Sequence, residues 1–417
     1  MIQDHSLSHF LKRHDALDTM RNMIMAIAVS WLCSQFALGQ DSGTRQTNAL
    51  FENHAAWNAV YESVRPKDDN ELSSWKYDSS VPSALDTALK DSDALRLQRP
   101  IVRLLMQQRA AWYAFDSLAS ELNYHDDVNQ ALRVRLAKVI AAAALTADEI
   151  KQLPNTYVVK AIDDDQQRNP AFDLDLPADL LQPDGEWLQL THKNINRIGL
   201  THEMSRRGRS EFLLFVRFPS GRKEAEEYLK GHNDVSAVES RRRDAILNFL
   251  IHRNEAMPPS PIFPAGARAV LLERMLAISD QGVPTATPVT KSVAFLDSKR
   301  AVNSANGNLH PVRSAAFELS TEALLGKDST AYLRRLKDME PFNGEEHFPN
   351  GLQRCVMCHN GGGRLSLSGG VATMEFPPSR AVDIVPNGTA SATATWKMRR
   401  HDFGLLRGML EVLKERK

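Results

Sequence analysis

The 417-residue sequence predicts an α+β protein. Three observations lead there: helical periodicity over residues 50–160, aromatic and β-branched runs ended by turns after residue 195, and an amphipathic helix at the C-terminus. The length suits two or three domains at roughly 100–200 residues each. The regions expected are a leader over 1–39, a helical region over 40–160, a mixed strand and helix region over 161–340, and a C-terminal region over 341–417. With 42% hydrophobic and 24% charged residues the chain can bury a core. The 51 basic and 51 acidic residues cancel, which argues against a nucleic-acid partner.

The first element is a leader. From Met20 the sequence reads MRNMIMAIAVSWLCSQFALGQ, with Arg21 ahead of an apolar run, Ile24 to Leu32, and with Ala37 and Gly39 at the −3 and −1 positions of a cut before Gln40. This is a secretory signal layout, with Met20 read as the initiator and residues 1–19 as an over-extended start. The apolar run is shorter than the about 20 residues of a membrane span. No transmembrane segment is expected after removal of the signal, and the destination expected is periplasmic or secreted. In Ser30-Trp31-Leu32, Trp31 and Leu32 put bulky side chains where a lipoprotein signal has small ones, which weakens that reading at Cys33.

The helical region follows. Pro100 stands at the first turn of a helix on which Ile101, Leu104, Leu105, Trp112, Phe115 and Leu118 recur at helical spacing. Leu132 to Leu145 is an Ala-rich helix. Thr146 with Glu149 forms a capping box for another, which ends near Leu153-Pro154. The aromatic and Met positions here read as core. Residues 160–195 read as loop. Their acidic run, Asp163 to Asp175, lacks EF-hand spacing and reads as solvated.

Strands come next. SEFLLFVRFPSG (Ser210–Gly221) reads as a strand ended by a turn. Helices are expected over Lys223–Lys230 and about Val235–Arg253, where Arg241, Arg242 and Arg243 fan around the axis. The Pro-rich Met257–Ala267 marks a linker. The turn at Asp280-Gln281-Gly282 separates two expected strands; SAAFELSTEALL fits strand or helix; Tyr332 to Met339 is expected to be a short helix. Arg206–Ser210 and Phe218–Glu224 read as surface turns, with anion or propionate binding the lesser alternative. His192 and His202 are expected to bracket a strand and to be structural or exposed. Leu405, Leu406, Met409 and Leu413 share one face of the C-terminal helix.

One run carries chemistry. In LQRCVMCHNGGG, Cys355, Cys358 and His359 stand at i, i+3 and i+4, on one face of a helical turn. Two thiols so placed can form thioethers with the two vinyl groups on one porphyrin edge, and the next imidazole can reach the iron. C-x-x-C-H is the haem c attachment signature. With Cys33 removed in the signal, Cys355 and Cys358 are the only cysteines left. Zinc would want a second Cys or His pair. A thioredoxin-type pair would sit between a strand and a helix, whereas Pro349 precedes this run and Gly361-Gly362-Gly363 follow it. Both competitors rank below one covalent haem c.

On this motif the C-terminal region, Pro341–Lys417 at most, resembles a monohaem c-type cytochrome. RLAKVIAAAALTADEIKQLP and RSEFLLFVRFPSGR resemble uncharacterised secreted bacterial haem c proteins. The resemblance implies Cys355 and Cys358 as the covalent anchors, His359 as the proximal iron ligand, electron transfer as the function and a redox protein as the partner. Met374, in VATMEFPP, is the favoured distal ligand, ahead of His401 and Met398, and an open position is the remaining alternative. No helix leads straight into Cys355 and only 58 residues follow His359, so the haem is expected to pack against the upstream body. Two other functions stay open: a haem c oxidoreductase with an open distal site, and a non-redox structural or binding protein.

Overall fold

In the computed structural model the described residues are 50–51, 54–65, 79–119, 127–158, 176–192, 195–198, 202–203, 206–230, 266–298, 312–326, 330–336 and 382–415. The protein is α+β. Helices α1 (Ala55–Val64), α2 (Val81–Leu89), α3 (Ser92–Arg96), α4 (Pro100–Met106), α5 (Trp112–Leu118), α6 (Asp127–Ala143) and α7 (Ala147–Lys151) precede the sheet. A π-turn, Gln107–Ala111, joins α4 to α5 in one rod. The strands are β1 (Leu188–His192), β2 (Ser210–Arg217), β3 (Arg268–Ile278), β4 (Pro284–Ser298), β5 (Val312–Leu319), β6 (Leu333–Arg335) and β7 (Val382–Val385). Helix α8 (residues 222–230) follows β2, α9 (Thr321–Leu325) follows β5, and α10 (Thr393–Met398) and α11 (His401–Glu415) close the chain.

The helical expectations hold for physical reasons. Pro100 sits in the first turn of α4, where its missing N–H leaves nothing unmet. Ile101, Leu104, Leu105, Trp112, Phe115 and Leu118 are all buried. The Thr146–Glu149 capping box forms, with both reciprocal bonds present.

The sheet has seven strands in the order β6-β5-β4-β3-β2-β1-β7, with every pair antiparallel. Side chains alternate across it. Leu213, Phe215, Val270, Leu272, Val293, Phe295 and Phe317 face the helical layer, where they join Trp112, Leu136 and Phe403 in one core. Leu188, Leu190, Leu214, Val216 and Ala269 face the other way, against Ala225 and Leu229 of α8. Covering on both faces explains the uninterrupted apolar run of β2. The β3–β4 hairpin turns at Ser279–Val283. Gly282 adopts φ 75° there, a conformation that suits glycine. Helix α11 docks through buried Phe403, Leu406 and Leu410, with Leu405, Met409 and Leu413 half-buried along the same stripe.

Two expectations change. Tyr332–Met339 is not a helix where it is described: Leu333–Arg335 is the edge strand β6, in register with Phe317–Leu319. Leu333 is fully buried, and the open edge of β5 offers backbone partners that a short isolated helix could not match. Among the described residues between His192 and His202 there is no strand: β1 ends at His192, and Asn196, at φ 46°, turns the chain back on the His192 carbonyl.

Strands β6 and β7 lie on opposite edges of the sheet. The intervening residues, 337–381, therefore connect two edges that stand about 29 Å apart, at roughly 4.8 Å per strand. Residues Ala49–Lys417 form one compact unit that includes β7, α10 and α11. Among the described residues no helix is long and apolar enough to cross a membrane.

Candidate functional site

Cys355, Cys358, His359 and Met374 lie outside the described residues, as do the acidic run 163–175 and the arginines at 241–243. Two alternative ligands are described. Met398 ends α10, half-buried against the main core, and His401 opens α11 on an exposed position.

What the described chain does bring together is a seam of buried charge, which lies where β2, β3 and the π-turn meet α10. Arg206–Ser210 is not a surface turn: Arg206, Arg209 and Ser210 are buried. Gly208 explains how the backbone enters. It adopts φ 72°, and a Cβ there would stand 2.6 Å from the Trp396 ring. Arg207, at φ 49°, donates to the Asp116 carbonyl. Gln108 of the π-turn donates to the Arg209 carbonyl, and Gln107 bonds the backbone of both Ala143 and Ile278. π-turns recur at functional sites because the extra residue re-aims side chains; here it aims two amides at the sheet and its approach loop.

Three groups of carboxylates occupy the seam. Glu273, on β3, has Lys291 at 3.3 Å and Arg206 at 3.5 Å and accepts from Ser292 at 2.8 Å. Burial alone would raise it, but the two cations and the hydroxyls of Ser292 and Ser210 outweigh burial and hold it at about 2.

Asp116, on α5, takes Lys397 at 2.7 Å, and the same ammonium lies 3.2 Å from Asp402 and 5.6 Å from the Trp112 ring centroid. Lys397 is fully buried, so this ion pair is closed to water. Burial pushes Asp116 up against the pull of Lys397. In Asp402 burial works the same way, but Lys397, Arg400 and the Phe403 N–H overcome it and lower the carboxyl.

The third group is Glu203 and Glu211. The Thr393 hydroxyl stands 2.5 Å from Glu203 Oε1 and 2.7 Å from the Ser391 hydroxyl, which stands 3.3 Å from Glu211 Oε2. The Ser391 N–H also donates to Glu211, at 3.0 Å. Arg197 lies 3.1 Å from Glu203, and Arg274 lies 3.8 Å from Glu211. Arg197 also stacks 4.3 Å over Trp396 of α10. Burial pushes Glu203 up to about 7, against Thr393 and Arg197, and the neighbouring Glu211 charge adds to the rise. Burial raises Glu211 too, against Arg274 and Ser391.

Sequence reasoning missed this seam. One signal was there: Glu211 stands ahead of the apolar run FLLFV, and Glu273-Arg274 stand in the middle of RAVLLERMLAI, in strands whose interiors are otherwise apolar. Charges in the middle of a buried strand need partners. Ser391, the partner of Glu211, and Arg206, a partner of Glu273, come from other segments of the chain, so spacing could not pair them.

No family model, no curated protein and no solved structure matches this chain.

Proposed function

We propose that the protein is an exported c-type cytochrome-like carrier that binds one haem c covalently and passes single electrons to a redox partner protein. The observation that carries this reading is Cys355-Val356-Met357-Cys358-His359 in a chain whose other cysteine, Cys33, lies in the expected signal peptide. The donor set fits the group: two thiols for the thioether links and one imidazole for the iron. Cys355 and Cys358 anchor the porphyrin edge and His359 serves as the proximal ligand. Met374, if it takes the other face, would raise the reduction potential toward electron transfer. The haem supplies the one-electron chemistry, and the chain supplies attachment, ligation and access. The signal-like layout of residues 20–39 supports the reading, because haem c is attached outside the cytoplasm.

The connection of 45 residues that carries the motif starts at one sheet edge, β6, and ends at the other, β7. Both of its ends are held by the upstream body, which favours a haem packed against that body over an appended module.

The test is expression with haem c maturation, then a haem-stained denaturing gel and a pyridine haemochrome spectrum. The intact protein is expected to retain stain and show one haem, and Cys355→Ser with Cys358→Ser to lose it. An unstained band from the intact protein would sink the proposal.

A further inference from the structure

We propose that Glu203 and Glu211 form a buried proton-binding site that holds one proton between them and relays it through Thr393 and Ser391. With both glutamates ionised, the hydrogens along this chain fall one short of the contacts. The chain from Glu203 to Glu211 has three oxygen–oxygen contacts, at 2.5, 2.7 and 3.3 Å. Each hydroxyl brings one proton, so two hydrogens must serve three contacts. An ionised carboxylate only accepts. With both glutamates ionised, one contact sets a bare oxygen against a bare oxygen. The two short contacts would then take both hydroxyl protons, leaving the Ser391 oxygen against a carboxylate while it already accepts the Thr393 N–H. One added proton on either carboxyl removes the conflict.

The surroundings agree with the count. Glu203 and Thr393 are fully buried, Glu211 is 1% exposed, and Ser391 is half-buried. Two carboxylates face two guanidinium groups, Arg197 from the turn after β1 and Arg274 from β3. Neither pair is aligned as a hydrogen bond: Glu203 Oε2, Arg197 Nη1 and Glu211 Oε1 have no hydrogen-bond partner among the described residues. The other charges near the chain are engaged elsewhere: Arg206 with Glu273, and Lys397 of α10 with Asp116 and Asp402. His202, beside Glu203, stacks 5.5 Å from Phe212. The carboxylates thus carry more negative charge than their aligned partners neutralise, which favours protonation of one. The position of Glu203 at about 7 fits this count.

The relay conserves atoms. A proton on Glu203 Oε1 passes to the Thr393 oxygen, Thr393 passes its own to Ser391, and Ser391 passes its own to Glu211 Oε2. One carboxyl is ionised and the other protonated at both ends of the shift. The chain also ties the start of α10 to β2 and to the helical residues 202–203, so the proton governs how firmly the segment after β7 is held. None of this depends on the haem reading.

The test is pH-difference infrared spectroscopy of the full chain, read at the protonated-carboxyl C=O stretch. A band that disappears as pH rises through about 7 is expected, absent from Glu203→Gln. Thr393→Val, which keeps the side-chain shape but cuts the relay, should move that midpoint upward, because the bond that lowers Glu203 is gone. No band titrating in this range in the intact protein would overturn the proposal, as would one unchanged in Glu203→Gln and Thr393→Val. Should Glu203→Gln fail to fold, the band of the intact protein and its shift in Thr393→Val decide alone.

Discussion

Glu273 and Glu203 are both buried carboxylates on one polar seam, yet they stand on opposite sides of their ordinary value of 4.5: Glu273 at about 2, Glu203 at about 7. Burial is equally severe for both, 1% exposure against none. The partners decide the difference. Glu273 has two cations for one carboxylate, at 3.3 and 3.5 Å. Glu203 and Glu211 have one guanidinium each and share two hydroxyls. Burial sets the size of the penalty on a charge, and the ratio of fixed cations to carboxylates sets its sign. Glu273 is therefore a permanently charged strut and Glu203 a group that titrates near neutrality.

The largest expected effect is at the strut. Glu273→Ala leaves Arg206 and Lys291 buried without their carboxylate. Breaking a buried pair from one side costs about 3–5 kcal/mol. Urea unfolding at neutral pH should show a loss of that size. A loss below about 1 kcal/mol would mean that the two cations have other partners and that the contrast with Glu203 is one of position only.

The pH dependence sharpens the same contrast, because the two groups act with opposite signs. Glu203 has a raised folded value, so the folded state binds the extra proton between 4.5 and about 7. Its contribution is complete below 4.5 and is lost as pH rises to about 7, at about 1.4 kcal/mol per pH unit and about 3 kcal/mol in all. Glu273 has a lowered folded value. Its contribution is complete above 4.5 and is lost as pH falls toward about 2, by a similar amount. Denaturant midpoints measured across pH should fall on both sides of a maximum in the acidic range. Glu203→Gln should flatten the neutral limb only. A curve that stays level from about pH 5 to about pH 8 would remove the raised value of Glu203 from the account.

The legibility of the molecule follows the range of its interactions. The Pro100 helix start, the Thr146 capping box, the β3–β4 turn and the α11 stripe are all decided within a few residues, and the sequence shows each of them. The fate of Tyr332–Met339 was decided by the open edge of β5, and that of Arg206–Ser210 by Trp396, Gln108 and Glu273, which are distant in the chain. Strands β1 and β7 are short and pair with each other across nearly 200 residues. Their periodicity is too brief to stand out, and β1 falls in the stretch 160–195 whose composition reads as loop. The seam depends on the same long-range meeting of β1, β2, β3 and α10. The C-x-x-C-H run is the opposite case: the chemistry proposed for it is read from five consecutive residues, which lie outside the described residues.

The smallest effect is the most informative about the titrating pair. Glu203→Gln replaces an acid by an amide of the same shape. Its NH2 donates as the protonated carboxyl would, and its oxygen accepts in the same place. If Glu203 carries the shared proton, the amide copies the native state, and stability at acidic pH should change by no more than about 1 kcal/mol, the worth of one hydrogen bond. At alkaline pH the variant should be the more stable of the two, because the intact protein then bears a buried charge that the amide lacks. If Glu203 is ionised at neutral pH, the amide strands Arg197 instead, and the variant should lose about 3 kcal/mol or more there. Paired urea titrations on both sides of pH 7 separate these outcomes by the sign of the difference.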